Sequence, residues 1–507
     1  MYSRNKLGTL LVILTLALAL PFGGAAQDQR TLTIGINAEI SSLDPHHVPG
    51  AIVGNRIYNT IFDSLTRTDA EGNVIPMLAT EWEAVDDTIW VFALREGVAF
   101  QNGAIMTAED AAYSLNRLLF SDEESFIRGT FLPFIESVEA TGDLELTITT
   151  PAIDPLLPLR LASPNAAIMP EAHIEEIGFD AAQTQPIGAG PYRVVDFMPG
   201  DRLILEAHED YWMGVPAADR VTFRLIPETS TRVSALRTGE IDFATTLSPD
   251  TIGQIETDPN LRIDTAPVFN FMLIYFNTNE GFITSDPLIR QALSLAIDRE
   301  LIAEALWDSQ VRVMNDYFLP GEFAFDESRP NFAYDPEEAM RLLAEAGYDD
   351  EPVAFTPPNA YYTNGQLVTD VINEMWQAVG INVDYEPLDT AAWADRSLSG
   401  QNVATLQSFG TSGDPATSSI VQTWDSWMGQ YFQPSAEFRA LAAEAGASLE
   451  PDVRLTNYRQ IVDMLDEIVP FAPLYQSVEF YGVRDGIEWQ PHPEFYIDLR
   501  PDVFSMD

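Results

Sequence analysis

The chain has 507 residues, 46% of them hydrophobic, and a formal net charge of -50 at pH 7. That length and apolar content provide for a large core and for two to four domains. The acidic excess argues against nucleic acid and anionic membrane surfaces as partners, both of which would repel it. There is no cysteine, which excludes disulfides, thiolate metal sites, cysteine nucleophiles and a lipid-modified N-terminal cysteine.

The first residues have the form of a secretory signal. Arg4 and Lys6 precede the apolar run Leu10–Leu20, and Pro21 and the small residues up to Ala26 follow. Cleavage after Ala26 is expected. The run is short for a membrane span, which takes about 20 residues. Lys6 is the only lysine, so every basic residue downstream is arginine. The charge balance is read either as adaptation to a salty exterior, where ions screen self-repulsion, or as a solubility bias with no role in binding.

Taken in order, Thr31 to Asn37 alternates as a strand, and the loop Glu39 to Gly50 carries Leu43-Asp44-Pro45 and His46-His47. A helix is expected from Ile52 to Leu65. A strand is expected from Thr88 to Arg95, then an Asn102-Gly103 loop and a helix opened by Thr107 and Asp110 in the manner of a capping box. Leu144 to Thr149 alternates as a strand. Gly188 and Gly190 resemble a phosphate loop, but Pro191 and the β-branched residues after it open a strand rather than a helix, which argues against nucleotide. Strands are expected at Arg193–Phe197, Arg202–Ala207 and Arg220–Ile226, and a helix from Ser230 to Arg237 stopped by Gly239. Asp286-Pro287 and Asp335-Pro336 each combine an N-cap with proline at the first helical position. From Pro352 the pattern alternates: strand, helix Gln366–Val379, strand Ile381–Leu388, helix, strand Val403–Phe409, which implies an α/β lobe.

Three runs carry a family resemblance: PMLATEWEAVDDTIWVFALREGVAFQNGAIMTAEDAAYSLNRLL from Pro76, PIGAGPYRVVDFMPGDRLILEAHEDYW from Pro186, and FNTN followed by DPLIRQALSLAIDRELI. In this order they resemble the bacterial extracellular solute-binding proteins of family 5, the dipeptide, oligopeptide and nickel type. The resemblance spans nearly the whole chain after the signal. It implies an α/β, two-lobed periplasmic binding protein fold of type II, with an extra subdomain inserted in lobe one and a hinge between lobes. The implied organisation is a signal peptide at 1–26, lobe one at 27–267 with the insertion near 59–181, lobe two at 268–477, and a return to lobe one at 478–507. It implies a soluble, monomeric periplasmic protein that captures a ligand by lobe closure and hands it to the permease subunits of an ABC importer, with no membrane insertion, no catalytic residue and no cofactor.

Site expectations follow from the same resemblance. The first loop approaches the ligand, which brings in His47 and Gly50. Neighbouring side chains of a strand point to opposite faces, so His46 and His47 do not readily share one ion, and no metal site is expected. The run Ser408-Phe409-Gly410-Thr411-Ser412-Gly413-Asp414-Pro415 matches a strand end that faces the cleft. Dipeptide-binding members often place an Asp where Thr411 stands, to pair with the peptide ammonium, and an Arg near Gln366 to hold its carboxylate. Both charges are missing here, and Arg396 is the only basic residue between Arg341 and Arg439. Tyr362, Trp393, Phe409 and Trp424 are expected as aromatic contacts, and Gln366, Ser408, Thr411 and Asp414 as polar ones. The expected ligand is a longer peptide or a neutral oligosaccharide. Two rival readings stand beside this one: a secreted hydrolase of oligosaccharides, which needs two cleft carboxylates about 5 to 9 Å apart, and a ligand-sensing signalling module.

Overall fold

The structure is a computed structural model that describes residues 29–47, 52–121, 125, 127–359, 361–411, 413–417, 421 and 427–507. The expected signal, Gly50 and Trp424 lie outside the described residues.

Two long strands organise the chain. Leu261–Phe276 and Phe471–Arg484 run antiparallel through the centre of an eleven-stranded sheet. On one side the sheet continues through Phe243–Ala244, Thr31–Ile36, Arg220–Leu225, Arg202–Ala207 and Tyr192–Met198; on the other it continues through Ala404–Gly410, Val353–Phe355 and Val383–Tyr385. The pairing of the two central strands slips between Pro267 and Phe271. Pro267 has no N–H to give the ladder, which favours a break there. Separate cores lie to either side. One gathers Leu32, Ile34, Ile61, Tyr192, Leu205, Phe223 and Tyr481. The other gathers Ile274, Leu293, Phe355, Ile372, Trp376 and Leu406. The molecule is two-lobed, and these two strands carry the chain between the lobes.

Lobe one bears a four-stranded antiparallel sheet of Ala79–Asp86, Ile89–Leu94, Glu145–Thr149 and Ser137–Gly142. The helix Ala108–Phe120 packs against it through Ala111, Leu115 and Leu118. Its start is the full capping box: Asp110 N–H donates to Thr107 Oγ1 at 3.3 Å, and Thr107 N–H donates to Asp110 Oδ2 at 3.0 Å. Asp286 and Asp335 likewise cap Pro287–Leu295 and Pro336–Glu345.

The helix expected to reach Leu65 ends at Ile61. The Ile61 carbonyl is taken by Gly190 N–H at 3.0 Å and Gln101 Nε2 at 2.7 Å, and Asp63 is drawn into a buried pair with Arg500 at 2.8 Å. These tertiary bonds outcompete another helical turn. They also explain the two glycines: a Cβ at Gly188 would stand 2.4 Å from the Ile61 carbonyl oxygen, and one at Gly190 2.5 Å from its carbon. The strand expected over Ile381–Leu388 is confined to Val383–Tyr385.

Candidate functional site

Val353–Phe355, Val383–Tyr385 and Ala404–Gly410 are mutually parallel where they pair, with Val353–Phe355 in the middle. The chain leaves the middle strand toward one neighbour and later returns on its other side. This is a topological switch point, and ligands of open α/β sheets bind outside the C-terminal ends of the strands at such points. The loop after Val353–Phe355 brings Tyr361 and Tyr362, and the loop after Ala404–Gly410 brings Thr411 and Asp414.

Two of the expected aromatics, Tyr362 and Trp393, gather with Tyr361: the tyrosines stand on the first of these loops and Trp393 on the helix Thr390–Leu398. Tyr361 is 54% exposed, its ring 4.8 Å from Tyr362 and 5.1 Å from Trp393. Trp393 is buried and its indole N–H donates to Thr405 Oγ1 at 3.1 Å. The Tyr362 hydroxyl donates to Gln407 Oε1 at 3.3 Å, and burial pushes its phenol well above the usual range. Gln366 is exposed on the first turn of the helix Gly365–Ala378, and Ser408 is half-buried.

Phe409 lies elsewhere. It is 1% exposed and packs edge-on against Phe271, Tyr275 and Phe471, with ring centroids 6.0, 5.8 and 5.2 Å away. Strand alternation turns it into the lobe-two core while Ser408 faces the other way. Asp414 is also engaged: Arg454 Nη2 donates to both its oxygens at 2.7 Å. Burial raises the Asp414 carboxyl and Arg454 opposes that rise. His47 is buried in lobe one, edge-on to Phe179 at 5.0 Å with Nδ1 3.3 Å from Asp44 Oδ2. Beside it His46 Nε2 bonds the Ala167 carbonyl at 2.9 Å, and Arg117 binds Asp44 at 2.6 Å. Burial and the adjacent Arg117 hold the His46 imidazole down at about 3. Asp44, His46 and His47 are therefore buried among contacts of their own. Among the described residues no group of three or more His, Asp or Glu is placed to hold a metal ion.

A residue the sequence reading passed over, Glu322, meets Thr411. Thr411 Oγ1 donates to Glu322 Oε1 at 2.6 Å, and Leu319 N–H donates to Oε2 at 2.5 Å. Burial pushes the Glu322 carboxyl up to about 8. Its loop is marked in the sequence by the turn pair Pro320-Gly321, but nothing local reveals the burial. The loop meets a turn from far back in the chain. A Cβ at Gly321 would stand 2.8 Å from the Glu71 carbonyl oxygen, and one at Gly413 3.0 Å from that of Gly72. The Phe269 ring fills the space between Gly72 and Gly321. Leu156 joins the buried cluster of Phe271, Leu319 and Phe409.

With this geometry in view, the comparisons decide the family. The family model for bacterial extracellular solute-binding proteins, family 5 middle, matches residues 73–432. The chain belongs to the bacterial extracellular solute-binding proteins of family 5. It is 27% identical over 473 residues to the oligopeptide-binding protein AppA of Bacillus subtilis, covering 86% of this chain and 85% of that one. It is 26% identical over 473 residues to haem-binding protein A of Haemophilus influenzae, covering 87% and 86%. The fold matches the ABC transporter substrate-binding protein CtaP of Listeria monocytogenes with a TM-score of 0.85 at 21% identity, covering 95% and 100%. As a family 5 protein it is a solute-binding protein of the ABC-importer class, and its relatives are binding proteins rather than enzymes. The oligosaccharide, hydrolase and signalling readings find no support in them. Among the described residues no helix is long and apolar enough to cross a membrane.

Proposed function

We propose that this chain is a periplasmic peptide receptor that presents its ligand to the permease subunits of an ABC importer. The observation that carries the peptide is a strand edge. Ala404–Gly410 pairs along its length with Leu261–Phe276, but on its other side Val353–Phe355 meets it only at Ala404. From Thr405 to Phe409 no described strand lies against that edge. An extended peptide adds there as a further strand: main-chain bonds supply affinity for any sequence, and flanking pockets read alternate side chains. Tyr361, Tyr362 and Gln366 flank one end and Ser408 and Thr411 the other. His47, Phe409 and Asp414 fall outside this proposed set, because each is committed to lobe-one or core contacts.

The proposed lobes are 27–267 with the insertion at 59–181, completed by 478–507, and 268–477. The register slip between Pro267 and Phe271 is the proposed hinge. Ligand touching both lobes favours the closed population, which the importer then recognises. A micromolar affinity is about -8 kcal/mol, within reach of a few strand-type hydrogen bonds and two stacked rings. A dipeptide needs a cation for its carboxylate close to its ammonium site. The only basic residue between Arg341 and Arg439 is Arg396, which lies 3.7 Å from Glu386. Longer peptides, whose carboxylate extends away, are therefore preferred.

Calorimetry against dipeptides, peptides of four to nine residues and neutral oligosaccharides tests this. Micromolar or tighter binding of the longer peptides is expected. Binding confined to the oligosaccharides would overturn it.

A further inference from the structure

We propose that Glu322 is the anchor for the N-terminal ammonium of the bound peptide. This rests on the peptide reading above and names the contact that fixes the ligand's end.

Among the described residues eight carboxylates are buried: Asp44, Asp63, Asp154, Asp316, Glu322, Asp414, Glu479 and Asp498. Seven have an arginine within 4 Å: Asp44 has Arg117, Asp63 and Asp498 share Arg500, Asp154 has Arg160, Asp316 has Arg329, Asp414 has Arg454 and Glu479 has Arg56. Among the described residues Glu322 alone has no cation. Its bonds come from a hydroxyl and a main-chain N–H, Thr411 and Leu319. Two acids, Asp414 and Asp316, push its carboxyl further up. Both are already matched by arginine, so they do not supply the missing charge. A buried carboxylate without a counter-ion is costly unless it is neutralised or a cation is brought to it. Burial raises its affinity for a proton in the manner expected of a site awaiting a cation.

Its position identifies which cation. Thr411 lies just beyond the open strand edge, so a peptide laid along Thr405–Phe409 with one end toward Thr411 brings that end to Glu322. A peptide end that carries positive charge is its N-terminus. Gly321 and Gly413, on either side of this carboxylate, are the points where lobe one's Glu71 and Gly72 come down. Contact of the lobes there covers the pair and removes water, which strengthens the attraction. The position of Thr411, which lacks the acid expected of a dipeptide receptor, is thus served by an acid from another loop through its own hydroxyl.

The test compares peptides of four to six residues with a free or an N-acetylated terminus, on wild-type protein and Glu322→Gln. Wild type is expected to bind the free terminus about 10- to 100-fold more tightly than the capped one, the worth of a charge-assisted bond. In E322Q that preference is lost while capped peptides bind as before. Equal binding of capped and free peptides by wild type would overturn the ammonium anchor and leave the peptide reading standing; this arm needs no variant to fold. Equal loss of both peptides in a folded E322Q would also overturn it, as a structural role. If no peptide of either kind binds wild type, the peptide reading fails and this inference falls with it.

Discussion

Gly321→Ala separates closure of the lobes from stability of the fold. Gly321 has φ +92, and an added Cβ would stand 2.8 Å from the Glu71 carbonyl oxygen and 3.1 Å from the Phe269 ring. In the proposed closure the first contact is to backbone of the opposite lobe, which moves away as the lobes part. Overpacking of this kind costs about 1–3 kcal/mol, felt only in the closed form. At 1.4 kcal/mol per tenfold, the affinity should fall by about 5- to 150-fold. The positive φ adds a further strain of about 1–2 kcal/mol in open and closed forms alike, so it lowers the melting temperature without touching the affinity. Gly103→Ala is the control: φ is +83 there, and nothing lies within 4 Å of its added Cβ. Calorimetry with a bound peptide and thermal melts of both variants read the two effects. Both should melt lower, and only G321A should bind more weakly. Equal affinities for the two would refute the claim that the Glu71–Gly321 contact belongs to the ligand-bound state.

Arg454→Met leaves Asp414 buried without its bidentate partner and should cost about 3–5 kcal/mol in denaturant unfolding, much of it recovered in the Asp414→Asn, Arg454→Met double variant; additive losses would show that the pair is not the unit. Glu322 is expected to make the unliganded protein less stable as pH rises. Its folded value of about 8 exceeds the usual 4.5, so the folded state holds the proton more tightly and stability falls across that interval by up to about 5 kcal/mol. E322Q should flatten that decline in urea titrations at pH 5 and 8, and an unchanged slope would contradict the burial argument. The net charge of -50 should make melting temperatures rise with NaCl up to about 0.5 M, as a Debye length of about 10 Å at 0.1 M screens the repulsion; a flat response would mean the arginines already compensate it locally.

Local chemistry was the legible part of the fold. The Thr107/Asp110 capping box and the Asp-Pro starts at Asp286 and Asp335 depend on residues within one turn, and the structure has them as read. The end of the helix at Ile61 was not legible, because it is set by Gln101 and Gly190, 40 and 129 positions away. The site divided the same way. Tyr362 and the strand end at Thr411 stood out by pattern. Alternation shows that Ser408 and Phe409 face opposite ways but not which face is core. The pairing of Asp414 with Arg454 spans 40 positions, so no local reading shows that Asp414 is occupied. Glu322 stands out only by the cation it lacks, and that is a property of three dimensions.

The most direct measurement is native mass spectrometry of the protein purified from periplasm without denaturation, followed by release and sequencing of whatever it carries. The expected result is a population with added mass that resolves into peptides of several lengths with free N-termini. Recovery of a carbohydrate, a metal complex or haem as the retained ligand would contradict the account.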